Sequence, residues 1–300
     1  MYENQLVHYP GIDGVTFNRE ALTYLWKETN LAWCGFYLPV INSKTGSLID
    51  AAKAWTGNRS FMKSLGWGLA PIYLGKQFGP GSILRQLQAQ KLLPLELAAA
   101  AMVEAQKDAT EAVRGALKEG FNPPTVIYFD CELPGFLKGE KLNIEAYKIY
   151  MGAWANQVRA EGFNAGIYCH QAWADDLRLA AKTDYVWAVE YNNVGVDPHG
   201  DGGYARAAKI KEDNAKKGTK TPVPPVGQNF DPSPGLNGTK NYPTYHPNKS
   251  GNANATSWQM AAMVQIPYRN VKPGQKPPRI TVDMNTSVFS DPGLPYRKAL

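Results

Sequence analysis

Residues 125–132 read Thr-Val-Ile-Tyr-Phe-Asp-Cys-Glu, a β-branched and aromatic run closed by Asp130 and Glu132. Such side chains suit the pleated surface of a strand, and continuous rather than alternating hydrophobicity marks a strand buried on both faces. In a parallel barrel the catalytic groups come from the C-terminal strand ends, which is where these carboxylates fall. Residues i and i+2 of a strand point to the same side, with Cα atoms roughly 6.5–7 Å apart. Two carboxyls on one face of a partly dry pocket cannot both ionise freely, so one is pushed upward. A carboxylic acid that keeps its proton is what the leaving oxygen of a glycosidic bond requires.

Outward from this run, the same kind of segment recurs at 10–15, 32–38, 69–74, 165–169, 185–191, 257–264 and 279–284. Each is followed by Gly, Asn, Pro or a carboxylate. Together with 125–131 they match the strand number of a closed parallel barrel. Helical spacing occupies the intervals: 19–28 carries Leu22, Leu25 and Trp26 on one face, 94–119 an alanine-rich face ending at Gly120, and 143–161 Ile144, Tyr147, Met151, Trp154 and Val158 ending at Gly162. Strands alternating with helices imply right-handed β-α-β units. No Gly-x-Gly-x-x-Gly follows the first strand and no P-loop occurs, so nucleotide-binding doubly wound folds have little support. The expectation is one α/β domain over 1–300, a single (β/α)-barrel, TIM-barrel-like and irregular. The Gly-, Pro- and Asn-rich stretch 192–256, with one helix near 204–217, reads as a long lid-like insertion after the sixth strand. A shorter insertion, 39–59, follows the second strand on the same rim.

Hydrophobic residues make up 44% and charged residues 19% of the chain, enough apolar material for one large core. No run approaches the roughly 18 consecutive apolar residues of a membrane span, so membrane insertion is not expected. Met1-Tyr2-Glu3-Asn4-Gln5 lacks the basic start and apolar stretch of a signal peptide. The expectation is synthesis in the cytoplasm, then release by lysis or export by a non-Sec route, as an antibacterial effector would require. The net charge of +6 would concentrate an anionic polymer. Lys209, Lys211, Lys216, Lys217 and Lys220 lack interleaved aromatics, a poor nucleic-acid signature. No cofactor is implied, and an immunity or delivery partner is not legible. Cys34, Cys131 and Cys169 lie in apolar runs and read as buried free thiols. With His8, His170, His199 and His246 scattered, no metal-ligand spacing arises.

Carboxylates recur at the expected strand ends: Asp13, Asp130, Glu132, Glu190 and Asp283. Any one of them is as readily a helix cap or an ion-pair partner. Asp13, Asp130, Glu132 and Asp283 together, on the first, fourth and eighth strands, point to a catalytic cluster. Tyr37, Tyr73, Tyr128, Tyr168, Trp187, Tyr191 and Trp258 also fall at or near strand ends, where flat rings suit the apolar face of a pyranose. Taken singly, each is more often core than sugar platform.

Gly11-Ile12-Asp13, Gly35-Phe36-Tyr37-Leu38, Gly68-Leu69-Ala70-Pro71-Ile72-Tyr73, Ile127-Tyr128-Phe129-Asp130-Cys131-Glu132, Trp187-Ala188-Val189-Glu190-Tyr191, Trp258-Gln259 and Val282-Asp283-Met284-Asn285 span almost the whole chain. In these landmarks it resembles the glycoside-hydrolase-like domain family catalogued as domain of unknown function 1906, a relative of the family-25 lysozymes. The resemblance implies an irregular barrel that cuts peptidoglycan between N-acetylmuramic acid and N-acetylglucosamine. It implies Glu132 as general acid and Asp130 as the group that orients the substrate acetamide or stabilises developing charge. Asp13 and Asp283 become supporting carboxylates; Glu190 and the aromatic set are read as lining the sugar groove from their places at or near strand ends, not from the resemblance. Glu190 and the length of 192–256 depart from the lysozyme pattern. Retention through the acetamide and inversion through an activated water both stay open. Two rivals are a family-18 chitinase type, whose signature has an Asp where Tyr128 stands, and a catalytically silent barrel that binds wall glycan or a protein partner.

Overall fold

The computed structural model describes residues 9–14, 16–29, 31–40, 50–74, 95–131, 144–189, 255–269, 272, 274–276 and 278–295. The strands are β1 (Tyr9–Asp13), β2 (Trp33–Tyr37), β3 (Gly68–Tyr73), β4 (Val126–Cys131), β5 (Asn164–His170), β6 (Tyr185–Val189), β7 (Ser257–Pro267) and β8 (Arg279–Ser287). Among the described residues the helices are α1 (Arg19–Glu28), α2 (Asp50–Trp55), α3 (Arg59–Leu65), α4 (Leu95–Lys118), α5 (Ile144–Ala160) and α6 (Gln171–Ala181). Glu132 and residues 192–254 of the expected 192–256 insertion, with the helix expected near 204–217, lie outside the described residues.

Local chemistry accounts for the helix ends. Asn18 caps α1 by accepting from the Ala21 amide at 2.9 Å, which satisfies one of the unpaired first-turn donors. α4 and α5 stop at Gly120 and Gly162, whose φ values of 82° and 85° are left-handed. In each case the next amide bonds back to a carbonyl five residues earlier, Phe121 to Ala116 and Phe163 to Val158. Along α4, Ala101, Ala105, Ala109, Ala112 and Ala116 are all buried, and small side chains at three- and four-residue spacing let the helix lie close to its neighbours. α2, α3 and α6 were not read from the sequence. The first two are short, and α6 follows β5 with no intervening turn residue.

β1 to β7 pair in chain order, all parallel, and form a curled seven-stranded sheet. β8 differs: it runs antiparallel to both β7 and β1 and bridges the two edges. The expectation of eight parallel strands is therefore corrected to a mixed α/β fold. The connecting sequence 268–278 is rich in Pro, Gly and Lys; among its described residues Gly274 has φ 88° and the Gln275 amide bonds to Lys272 O at 3.0 Å. A parallel return needs a crossover of about a dozen residues or more, usually helical; this connection makes a hairpin.

Strand alternation sorts the side chains. Phe129 faces outward and packs on Tyr150 and Trp154 of α5, whereas Tyr128 faces inward. There Trp187 is the central ring, with Trp33, Tyr128 and Tyr168 centroids 5.0, 5.8 and 4.9 Å away, all near edge-to-face. Gly11 makes room for this packing, since a Cβ there would lie 2.3 Å from the Trp33 ring. Residues 288–295 cross the N-terminal ends of the strands: Asp291 accepts from the Leu69 amide at 2.8 Å and Gly293 O from the Val126 amide at 2.8 Å. That end of the barrel is packed shut by aromatic rings and backbone.

Candidate active site

Asp13 ends β1 and is 2% exposed. Its Oδ1 accepts from Asn285 Nδ2 at 2.7 Å and its Oδ2 from the Tyr37 hydroxyl at 3.4 Å. Asn285 is itself saturated: its Oδ1 accepts from Trp187 Nε1 at 3.1 Å, and its Nδ2 also reaches Asp283 O at 3.1 Å. A chain of neutral donors thus fixes the Asp13 carboxylate above the aromatic floor. The close fit depends on Gly35, where a Cβ would lie 2.6 Å from Asp13 Cβ and 3.3 Å from the Trp187 ring.

Asp130 is the penultimate residue of β4, 4% exposed, on the same face of the strand as Tyr128. Its Cα partner across the sheet is Tyr168, whose side chain reaches Trp187 and whose hydroxyl donates to Gln259 Oε1. β1 and β4 thus each carry a buried Asp at the C-terminal end of the parallel strands, on either side of the same interior rings. Asp283 arrives by a different route. It lies mid-strand on β8, at the level of Asp13 because the two are register partners across an antiparallel pair. The expectation that it closes a parallel strand is corrected, although β8 still brings it to that level.

Of the aromatic candidates, Tyr37 and Tyr168 join this network. Tyr73 does not: it faces outward, with its hydroxyl donating to Glu111 of α4 at 3.1 Å. Tyr128 faces inward, but its hydroxyl donates to Pro292 O at 3.0 Å, at the closed end of the barrel. Trp187 is fully buried as the central core ring, with its indole N–H taken by Asn285. All three are corrected from sugar contacts to packing residues. Glu132, Glu190 and Tyr191 lie outside the described residues, as does the Trp258 side chain.

The sequence reading quoted Gln259 and Asn285 only as landmarks. Polar residues at every second position, Ser257 and Gln259 on β7 and Asp283, Asn285 and Ser287 on β8, are the signal that could have revealed them. Ser257, Gln259, Asn285 and Ser287 are each fully buried, and in a strand that spacing is one interior face.

The three cysteines are buried and free. Burial, then the charge of Asp13, pushes the Cys34 thiol well above its ordinary value. Burial first, then Cys169 and Asp130, does the same for Cys131, and burial, then Asp175, for Cys169. A thiol held protonated is a poor nucleophile, so these side chains act as small hydrophobes. Among the described residues no group of three His, Cys, Asp or Glu could hold a metal ion, and no helix is long and apolar enough to cross a membrane.

The chain is similar to a family model and to several distant solved structures. No curated protein matches the sequence. An uncharacterised B. stearothermophilus protein is similar at 14% identity and TM-score 0.44, over 92% of this chain and 94% of its own. The Mycobacterium tuberculosis Tat-secreted protein Rv2525c, in complex with L-tartrate, gives 12% identity and TM-score 0.47 over 93% and 94%. The modular autolysin LytC from Streptococcus pneumoniae gives 12% and 0.44, over 93% of this chain and 46% of its own. At these identities and scores the likenesses carry no argument about chemistry. The model of the Rv2525c-like, glycoside hydrolase-like domain matches residues 25–285, from within α1 to the asparagine that holds Asp13. The chain belongs to the Rv2525c-like family of glycoside hydrolase-like domains.

Proposed function

We propose that the chain is a glycoside hydrolase of 2-acetamido polysaccharides, peptidoglycan above all, working by carboxyl general-acid catalysis. The observation that carries this reading is the pair of buried interior aspartates, Asp13 from β1 and Asp130 from β4, at the C-terminal ends of the strands. Membership of a glycoside hydrolase-like family supports it. Charged side chains are seldom buried in a barrel mouth without a task.

In this reading Glu132, one residue beyond β4, donates the proton to the leaving oxygen. Asp130 orients the acetamido group or stabilises the developing charge. Asp13, held by Asn285 and Tyr37, and Asp283 complete the acidic floor. No opposing nucleophile is assigned, so acetamide-assisted retention and water-based inversion both satisfy the scheme. Delivery to the wall, by lysis or by a non-Sec machine, is part of the same proposal.

One observation favours a second reading, a silent barrel that binds glycan: Asp13 is 2% exposed, and both its oxygens already accept hydrogen bonds. Digestion of purified sacculi followed by mass spectrometry of the muropeptides separates the two. The hydrolase reading expects new N-acetylmuramic acid reducing ends with the parent. It expects a loss of about 10²-fold or more with Glu132→Gln, the usual contribution of a general acid. Affinity for sacculi with no new reducing ends would leave only the binding module.

A further inference from the structure

Two carboxamides lie side by side on the interior face of β7 and β8, since Gln259 and Asn285 are register partners. Asn285 spends both ends of its amide, on Asp13 and Trp187. Gln259 does not. It is fully buried, its Oε1 accepts from the Tyr168 hydroxyl, and its Nε2 has no hydrogen-bond partner among the described residues. Tyr168 is in turn the register partner of Asp130, so this amide sits on the Asp130 side of the interior.

A buried N–H donor without an acceptor is expensive, and native chains keep few of them. The missing partner must bring an acceptor oxygen. With Asp13 and Asp130 on the same interior floor, an anionic acceptor would be repelled, so the oxygen belongs to a neutral group. The floor as a whole offers carboxylate acceptors beside one unused amide donor. A secondary amide is the neutral substituent that answers both, with an N–H for a carboxylate and a carbonyl for Nε2. A plain sugar hydroxyl presents no such separated pair.

We propose that Gln259 is a specificity-determining residue whose Nε2 donates to the carbonyl oxygen of a substrate acetamido group. This rests on the reading of the chain as acting on 2-acetamido polysaccharides, and it names the residue that selects them. The test is calorimetric binding of two neutral β-1,4-linked tetramers, one of N-acetylglucosamine and one of glucose, to the parent and to Gln259→Met, which keeps side-chain length without the donor. The parent should prefer the acetamido tetramer by about tenfold or more, the scale of one well-made hydrogen bond. Gln259→Met should lose about tenfold of that preference while binding the glucose tetramer as before.

A folded Gln259→Met with its preference intact would mean that the amide meets only water, and would overturn the assignment while sparing the proposed function. A parent that binds neither tetramer, or both alike, overturns the acetamido reading itself and the role of Gln259 with it. Should the variant fail to fold, the Gln259 side-chain NH₂ resonances of the ¹⁵N-labelled parent decide instead. Saturation with the acetamido tetramer must shift them and slow their exchange, and unchanged signals overturn the proposal.

Discussion

Inside the curled sheet, Asp13 and Asp130 are buried with Tyr37 and Tyr168; outside it, Asp108 and Glu111 of α4 gather Tyr73 of β3 and Tyr150 of α5. The ingredients are the same. Tyr150 donates to Asp108 and Tyr73 to Glu111, much as Tyr37 donates to Asp13. Asp108 is 1% exposed, even more deeply buried than Asp13 at 2%. In the outer cluster burial, then the charges of Asp108 and Glu111, holds the Tyr73 hydroxyl far above its ordinary value, and burial, then Asp108, does so for Tyr150. Those tyrosines stay neutral donors that tie β3, α4 and α5 together. Buried acid beside tyrosine is therefore no signature of a site. What separates the clusters is the pleat, which sends Ile72 inward and Tyr73 outward, Asp130 inward and Phe129 outward.

The largest effects should split cleanly between the two. Asp130→Asn should cost about 10²-fold or more in turnover of sacculi, if it shares in transition-state charge, while the melting temperature stays within a few degrees. Asp108→Ala should do the reverse. Removing the acceptor of Tyr150 costs about 1–3 kcal/mol, lowering the melting temperature by several degrees and leaving turnover at 25 °C within about twofold. If the proposed activity holds, turnover assays paired with thermal melts check both, and an Asp108→Ala variant that is stable but inactive would break the comparison.

Smaller effects are expected from the tyrosines. Tyr37→Phe removes a donor to Asp13 and should raise KM or lower kcat severalfold. Tyr73→Phe should leave both unchanged and cost about 0.5–1.5 kcal/mol of stability. Equal kinetic effects would mean that the outer cluster communicates with the interior.

The smallest effect comes from a fourth buried acid, Glu119, just beyond α4, whose two oxygens accept from the Gly57 amide at 2.9 Å. Burial raises its pKa from the ordinary 4.5, opposed by that hydrogen bond and by Lys118 and Arg59. A carboxyl raised in the fold binds more proton folded than unfolded, so stability falls as pH rises from 4.5 through the folded value and is level above it. Glu119→Gln should flatten that part of the melting-temperature profile. A steeper profile in the variant would reverse the sign assigned here.

Sequence reading reached far into this fold and unevenly into its site. The runs ending in Asp13 and Asp130 were legible because apolar strands closed by a carboxylate are a local pattern. The stops of α4 and α5 were legible because Gly120 and Gly162 follow the last periodic residue. Tyr73, Tyr128 and Trp187 were misplaced for a common reason. In a strand apolar on both faces, nothing in the pattern says which residues turn inward. Asn285 and Gln259 were passed over because β7 and β8 were read as continuous runs rather than as polar residues at every second position.

Local chain chemistry thus sufficed to place the strands, the main helices and two of the acids. Three things needed the assembled sheet: the reversed direction of β8, the meeting of Asp283 with Asp13, and the division of tyrosines between interior and helix layer. Element type follows from periodicity and caps within a few residues of sequence. Strand direction and pleat phase are settled only by pairing with a neighbour, and for β8 those neighbours are β7 and, more than two hundred residues away in the chain, β1.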